Sequence, residues 1–311
     1  MKFMKLRVFL LALLVAGLAI VPIVSAAGEK VQRLSEPQPV QMDEKVLKEM
    51  QKEIIKELQV STVIDAKEKH LLIKQLKEIW SGKSSFSESQ EQMILSRVGE
   101  VLVQSPVQGP TVQWTGFCAK GGSYPHNDMA RVAGEKMGLF SYYVNILYNY
   151  AGAPDCWAYS YDHYATTGAP GNTKYYADLA RLNIKNGNPE IGYRSLAYSM
   201  HFMTDMSMPF HYIYAWWLQH QAYEDNIGAN WMSGQAYINS IYSNNYYYYI
   251  TDPSASAWNL ARYSNQYQAY IVSAMSKPGW QNDPTLVQDT KDCLVQGERY
   301  DMGLINYATR L

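Results

Sequence analysis

Residues 199–226, SMHFMTDMSMPFHYIYAWWLQHQAYEDN, hold three of the chain's six histidines, each near a carboxylate. His201 and Asp205 stand four apart, as do His220 and Glu224, with His211 between the pairs. On an α-helix, residues i and i+4 project from one face about 6 Å apart, so each pair can offer two donor atoms to one metal ion. Pro209 precedes His211 and ends or kinks the helix there, turning His211 towards the second pair. Imidazoles and carboxylates without paired thiolates suit catalytic zinc better than a cysteine-rich structural site. The pattern asks for helices, and for a fold that gathers these side chains into a single pocket.

The rest of the chain supplies the helices. Apolar residues recur at helical spacing in DMARVAGEKMGLFSYYVNILYNYA, NTKYYADLARLNIKNG, GYRSLAYSMHFMTDMS, HQAYEDNIGANWMSGQAYINSIY, ASAWNLARYSNQYQAYIVSAMS and PTLVQDTKDCLVQGERYDMGLINYATRL. The stretch from about 150 to 172 is turn-rich, and SNNYYYYITDPS reads as a loop or a short extended piece. Before residue 114 the composition differs. MDEKVLKEMQKEIIKELQV, AKEKHLLIKQLKEIW and SESQEQMILSRVGEVLV form three amphipathic helices rich in Lys and Glu, the last opened by a serine cap. His70 there is a solvated surface residue. QSPVQGPTVQW breaks helical periodicity and reads as a linker. All three cysteines and five of the six histidines lie beyond it. The chain divides into 1–27, a signal peptide; 28–113, a helical pro-segment; and 114–311, an all-α working domain.

The leader assignment rests on Lys2, Lys5 and Arg7, an apolar run to about Val24, and the small residues Ser25, Ala26 and Ala27; an N-terminal membrane anchor is the alternative. Export permits disulfides, and Cys118, Cys156 and Cys293 make one pair and one leftover, the pair left open. A net charge of −1 offers no basic field for nucleic acid. The expected state is a secreted monomer with no specific nucleic-acid partner.

The ordered blocks resemble the zinc-dependent phospholipase C enzymes, secreted bacterial phosphatidylcholine hydrolases and alpha-toxin catalytic domains among them. HFMTDMSMPFH looks like their His-x3-Asp-x3-Pro-x-His motif and HQAYE like their His-x3-Glu. APDCWAYSYDHY resembles their Pro-Asp … Asp-His-aromatic segment with a shorter gap, and WTGFCAKGGSYPHNDMAR their mature N-terminus. The resemblance covers 114–311 and does not extend to 28–113.

It implies a three-zinc site in an all-helical domain. Asp155, His163, His201 and Asp205 would hold one zinc. Asp205 would bridge to a second, completed by His126 and by the amine and carbonyl of Trp114. His211, His220 and Glu224 would hold the third. Asp155 would also orient or deprotonate the attacking water. An α-amino ligand requires Trp114 to be the first residue, because a peptide nitrogen has its lone pair in amide resonance. The full chain would then be a zymogen, with a folding aid or an unrelated accessory domain as the alternative role for 28–113.

The implied substrate is a phospholipid or another phosphodiester, cleaved to diacylglycerol and a phosphorylated headgroup, with transient contact to a lipid surface. With the chain read as stopping at Leu311, no membrane-docking domain is expected after the catalytic one. The neighbour of the first Asp ligand is Cys156 rather than a choline-caging aromatic; Trp157 or Tyr246–Tyr249 would have to substitute. Zinc-dependent single-strand nucleases share much of the pattern but normally end in His-x3-Asp, where this chain has Glu224. A zinc-binding protein without turnover is the remaining alternative.

Overall fold

The computed structural model describes residues 31–39, 44–81, 85–87, positions within 90–101, and 125–158, 160–212 and 217–310. The leader, the linker, Trp114 and Cys118 lie outside the described residues. Among the described residues, no helix is long and apolar enough to cross a membrane.

The architecture is all-α. A short strand β1 (Gln32–Leu34) precedes helices α1 (Glu44–Val60) and α2 (Ala66–Trp80). The body then runs α3 (Pro125–Lys136), α4 (Ser141–Ala151), α5 (Pro154–Trp157), a 3-10 turn at Ser160–His163, α6 (Ala169–Lys185), α7 (Pro189–Asp205) and α8 (Trp217–Ala229). It continues with α9 (Ile238–Tyr242), β2 (Tyr246–Tyr248), α10 (Pro253–Asn265), α11 (Gln268–Met275) and α12 (Pro284–Thr309).

Several predicted single helices are divided. Met137–Phe140 separates α3 from α4, and a turn at 230–237 separates α8 from α9. Such boundaries blur in the sequence because the apolar spacing carries on across them. The stretch read as irregular between 150 and 172 contains α5, the 3-10 turn and the start of α6. Residue Ser87 and Gln90 do close a reciprocal cap: Ser87 N–H donates to Gln90 Oε1 at 2.8 Å, and Gln90 N–H to Ser87 Oγ at 3.4 Å.

α6 and α7 form the central hairpin. Gly187, with φ +78°, makes the tight return. A Cβ at Gly192 would stand 2.5 Å from Ile184 Cγ1 and 3.0 Å from the Ala180 carbonyl, so glycine lets the two helices close on each other. Pro189 occupies the first helical position of α7, where no backbone donor is lost. The last two turns of α7 are buried on nearly every side, as befits a helix at the centre of a domain. α12 starts at the Asp283 cap, whose carboxylate accepts from Thr285 and Leu286 N–H.

Two buried apolar clusters result. One includes Leu196, Phe202 and Met203 of α7 with Ala169, Tyr164 and Tyr212, and it also takes in Leu58, Leu72 and Leu76 of α1 and α2. The other joins Met129, Tyr223, Ile227, Trp231 and Leu294. Leu196, Phe202 and Met203 of α7 thus belong to the first cluster, and Tyr223 and Ile227 of α8 to the second. The tyrosine run read as a loop or extended piece is in part a strand: β2 pairs in parallel with β1, Gln32 opposite Tyr246 and Leu34 opposite Tyr248.

Candidate metal centre

Five structural devices deliver the side chains. α7 presents His201 and Asp205 one turn apart from its buried end. The helix stops there, four residues before Pro209, and a turn closed by His211 N–H to Met208 O at 3.0 Å carries the chain to His211. Ser264 Oγ donates to Met206 O at 2.7 Å and Asn265 Nδ2 to Pro209 O at 3.2 Å, pinning that turn to α10. α8 places His220 and Glu224 on one face, and Tyr223 shares a hydrogen bond of 2.8 Å with Thr290 of α12. Pro125 opens α3, so His126 enters in the first turn; Asp128 fixes that turn by accepting from Trp231 Nε1 at 2.8 Å and Arg131 Nη2 at 2.9 Å. Pro154 opens α5 and puts Asp155 in its first turn.

The structure brings eight of the nine sequence-predicted residues together: His126, Asp155, His163, His201, Asp205, His211, His220 and Glu224. The ninth, Trp114, lies outside the described residues. Three groups are arranged so that each could hold a metal ion: His126, His201 and Asp205; Asp155, His163 and His201; and His211, His220 and Glu224. Asp205 Oδ2 lies 2.8 Å from His163 Nδ1 and 3.4 Å from His201 Nε2. Its Oδ1 lies 3.5 Å from both His126 Nε2 and His211 Nδ1. Asp155 Oδ1 approaches His201 Nε2 at 3.4 Å and His163 Nδ1 at 3.9 Å. On the other side, His211 Nε2 is 2.9 Å from both His220 Nε2 and Glu224 Oε1, and His220 Nε2 is 2.7 Å from Glu224 Oε1.

The imidazoles are oriented from behind. His201 Nδ1 donates to Ala151 O at 2.8 Å and His211 Nδ1 to His163 O at 3.0 Å, which leaves each Nε2 with its lone pair facing the centre. Tyr164 is buried; its hydroxyl is 3.2 Å from His220 Nδ1 and its ring stacks on His211 with centroids 5.0 Å apart. These three supports were missed in the sequence. Two are backbone carbonyls, which carry no side-chain signal, and Tyr164 showed only as the aromatic after His163.

Electrostatics favour a cation here. Burial, the largest cause, pushes Asp205 well above the usual carboxylate range and Asp155 up to about 8. Burial also holds His201 well below its ordinary value and His126 down to about 3. His126 and His201 are thus neutral lone-pair donors, and the two acids bear charge at little cost only when a positive ion is present. Glu224 differs. Burial raises its carboxyl, but His220 and the hydrogen bonds from His211 and His220 outweigh that and bring it to about 2.

The donor set passes a simple fit test for a divalent ion. Asp155 Oδ1 is buried and has no hydrogen-bond partner. His211 Nε2, His220 Nε2 and Glu224 Oε1 lie within 2.9 Å of one another. Two imidazole lone pairs and a carboxylate oxygen at that separation repel unless a proton or a metal cation stands among them. Imidazole and carboxylate are the donors zinc takes.

Cys156 beside Asp155 is disulfide-bonded, while Cys293 is free and buried in α12. That removes the Cys118–Cys293 alternative. A half-cystine is also no metal ligand, since its sulfur has no thiolate to offer.

No family model matches the sequence, and no curated protein matches it either. Among solved structures, the alpha-toxin of Clostridium perfringens (avian strain SWCP) is similar at 13% identity and a TM-score of 0.41, over 59% of this chain and 60% of that one. The chain thus matches about three fifths of the toxin's length.

Proposed function

We propose that the chain is a zinc-dependent phosphodiesterase of the phospholipase C type, which hydrolyses the glycerol-side phosphoester of a phospholipid. The observation that carries this reading is the convergence of eight imidazole and carboxylate side chains, in three adjoining groups, at one buried place. His201, Asp205, Asp155 and His163 would hold one zinc; His126 and Asp205 a second, with Trp114 as the further ligand; His211, His220 and Glu224 the third. Bound zinc supplies Lewis-acid polarisation of phosphoryl oxygens and a water acidic enough to react near neutral pH.

The chain's own residues do the rest. Asp155 holds the attacking water and accepts its proton at Oδ1, the carboxylate oxygen that receives no hydrogen bond from the protein. The water oxygen bonds to phosphorus in line with the glycerol oxygen. As that P–O bond breaks, the alkoxide takes up the proton that Asp155 had accepted, which returns Asp155 to its carboxylate and gives diacylglycerol and a phosphorylated headgroup. Asp205 touches histidines of all three groups and so keeps them in register.

In the same reading, residues 1–27 direct export, the enzyme acts outside the cell as a monomer at lipid surfaces, and 28–113 is a pro-segment whose cleavage from the body between Gln113 and Trp114 frees the Trp114 amine. The test compares the zinc-loaded full chain with one beginning at Trp114, on a phosphatidylcholine dispersion and on single-stranded DNA. Lipid hydrolysis that rises when Trp114 is terminal supports the proposal. Cleavage of DNA alone replaces it with a nuclease, and zinc binding without either turnover replaces it with a non-catalytic metal protein.

A further inference from the structure

The segment before residue 114 touches the body through a built strand site. β2 is fixed on α12: a Cβ at Gly303 would stand 2.5 Å from the Tyr248 carbonyl, so the helix and strand backbones are in direct contact. Tyr248 OH donates to Gln296 Oε1 at 2.7 Å, and Arg299 Nε to Asn244 Oδ1 at 3.1 Å. The outward edge of this strand is met by β1. Gln32 N–H donates to Asn245 O at 2.8 Å, and Tyr249 N–H to Leu34 O at 3.0 Å.

Side chains add selectivity to the main-chain pairing. The Arg33 guanidinium lies 4.2 Å from the Tyr249 ring centroid, and Arg310 of the body lies at the same 4.2 Å. Leu34 and Val31 pack against the larger buried apolar cluster. Two residues on, Glu36 Oε1 accepts from Ser256 Oγ of α10 at 2.8 Å. A strand edge, an aromatic that receives a cation, an apolar seat and a hydroxyl together specify an extended peptide of the pattern apolar–x–Arg–Leu–x–Glu. This is strand addition, in which main-chain bonds supply affinity and side chains supply choice of partner.

We propose that residues 31–36 anchor the 28–113 segment to the body, so that the segment stays bound without covalent attachment after the chain is cut between them. Maturation would then loosen the linker without discarding the segment. The inference rests on reading 28–113 as a distinct segment, but not on the phosphodiesterase activity.

The experiment places a site-specific protease sequence within 102–113 of the full chain, cuts it, and follows the two fragments by native mass spectrometry across a dilution series. The cut wild type is expected to remain one species. Arg33→Ala removes an exposed cation from the ring and should weaken retention about threefold. Leu34→Asp places a charge in the apolar seat and should weaken it about 100-fold or more. Arg33 is exposed, so its variant folds and decides the matter even if Leu34→Asp does not. Separation of the cut wild type overturns the proposal, as does retention unchanged in Arg33→Ala. Hydrolysis measured on the same samples reports separately on the zymogen reading, because cutting can activate the enzyme whether or not the fragment leaves.

Discussion

The two sides of the candidate centre are built on opposite principles. His211, His220 and Glu224 come from one continuous stretch, and their carboxylate is already compensated: two imidazoles at 2.9 and 2.7 Å hold Glu224 down to about 2. The Asp205 side gathers His126, Asp155, His163 and His201 from α3, α5, the 3-10 turn and α7, and burial raises both of its acids. A local cluster can balance its own charge. One assembled from distant segments, with two acids in one desolvated place, draws its balance from outside, as a bound cation would supply it. The Asp205 side should therefore depend more on metal than the Glu224 side does.

Asp205→Asn probes that difference most strongly. Asp205 contacts histidines on both sides, so the change should cut metal affinity by more than about 100-fold, beyond what loss of a merely supporting partner does. Metal content after dialysis, measured beside hydrolysis, reads the effect; a variant that retains all its metal would show that the two sides are independent. Stripping metal with a chelator comes next. An ion bound at about a thousandfold over its Kd stabilises by about 4 kcal/mol, so Tm should fall by about 10 °C for a domain of this size. In hydrogen exchange, the opening should appear first in α5 and the 3-10 turn. If α8 opens first instead, the comparison is reversed.

Glu224→Gln keeps the shape and removes the charge. It should lower the bound-metal count by one, with the Asp205 side still loaded, and loss of every ion would mean that the sides bind as a unit. Tyr164→Phe is the gentlest. It preserves the stack on His211 and removes the hydroxyl beside His220 Nδ1, so metal affinity should drop about tenfold, at the lower end for an orienting partner. Isothermal titration with zinc checks this, and an unchanged constant would reduce Tyr164 to a packing residue.

Much of the centre was legible because its signal is local. Helical period alone puts His201 with Asp205 and His220 with Glu224, and Pro209 announces the break after which His211 turns in. The all-α class follows from the same periodicity. The helix breaks at Met137–Phe140 and 230–237 were not legible, since apolar spacing continues through them. Tyr246–Tyr248 was ambiguous because a short tyrosine run suits an edge strand or a loop equally, and its partner lies far off in the chain.

From the sequence alone came the helices, the two His–carboxylate pairs and the kinds of donor atom. These rest on spacings of a few residues, which backbone geometry converts directly into shared faces. Only the tertiary structure decided that His126 and His163 reach Asp205 and Asp155 reaches His201, that Tyr164 and two backbone carbonyls aim the imidazoles, and that Glu36 meets Ser256 across 220 residues. Contacts of that range depend on how whole helices pack, and packing is settled by the shape of the buried surface, which no repeat in a linear sequence records.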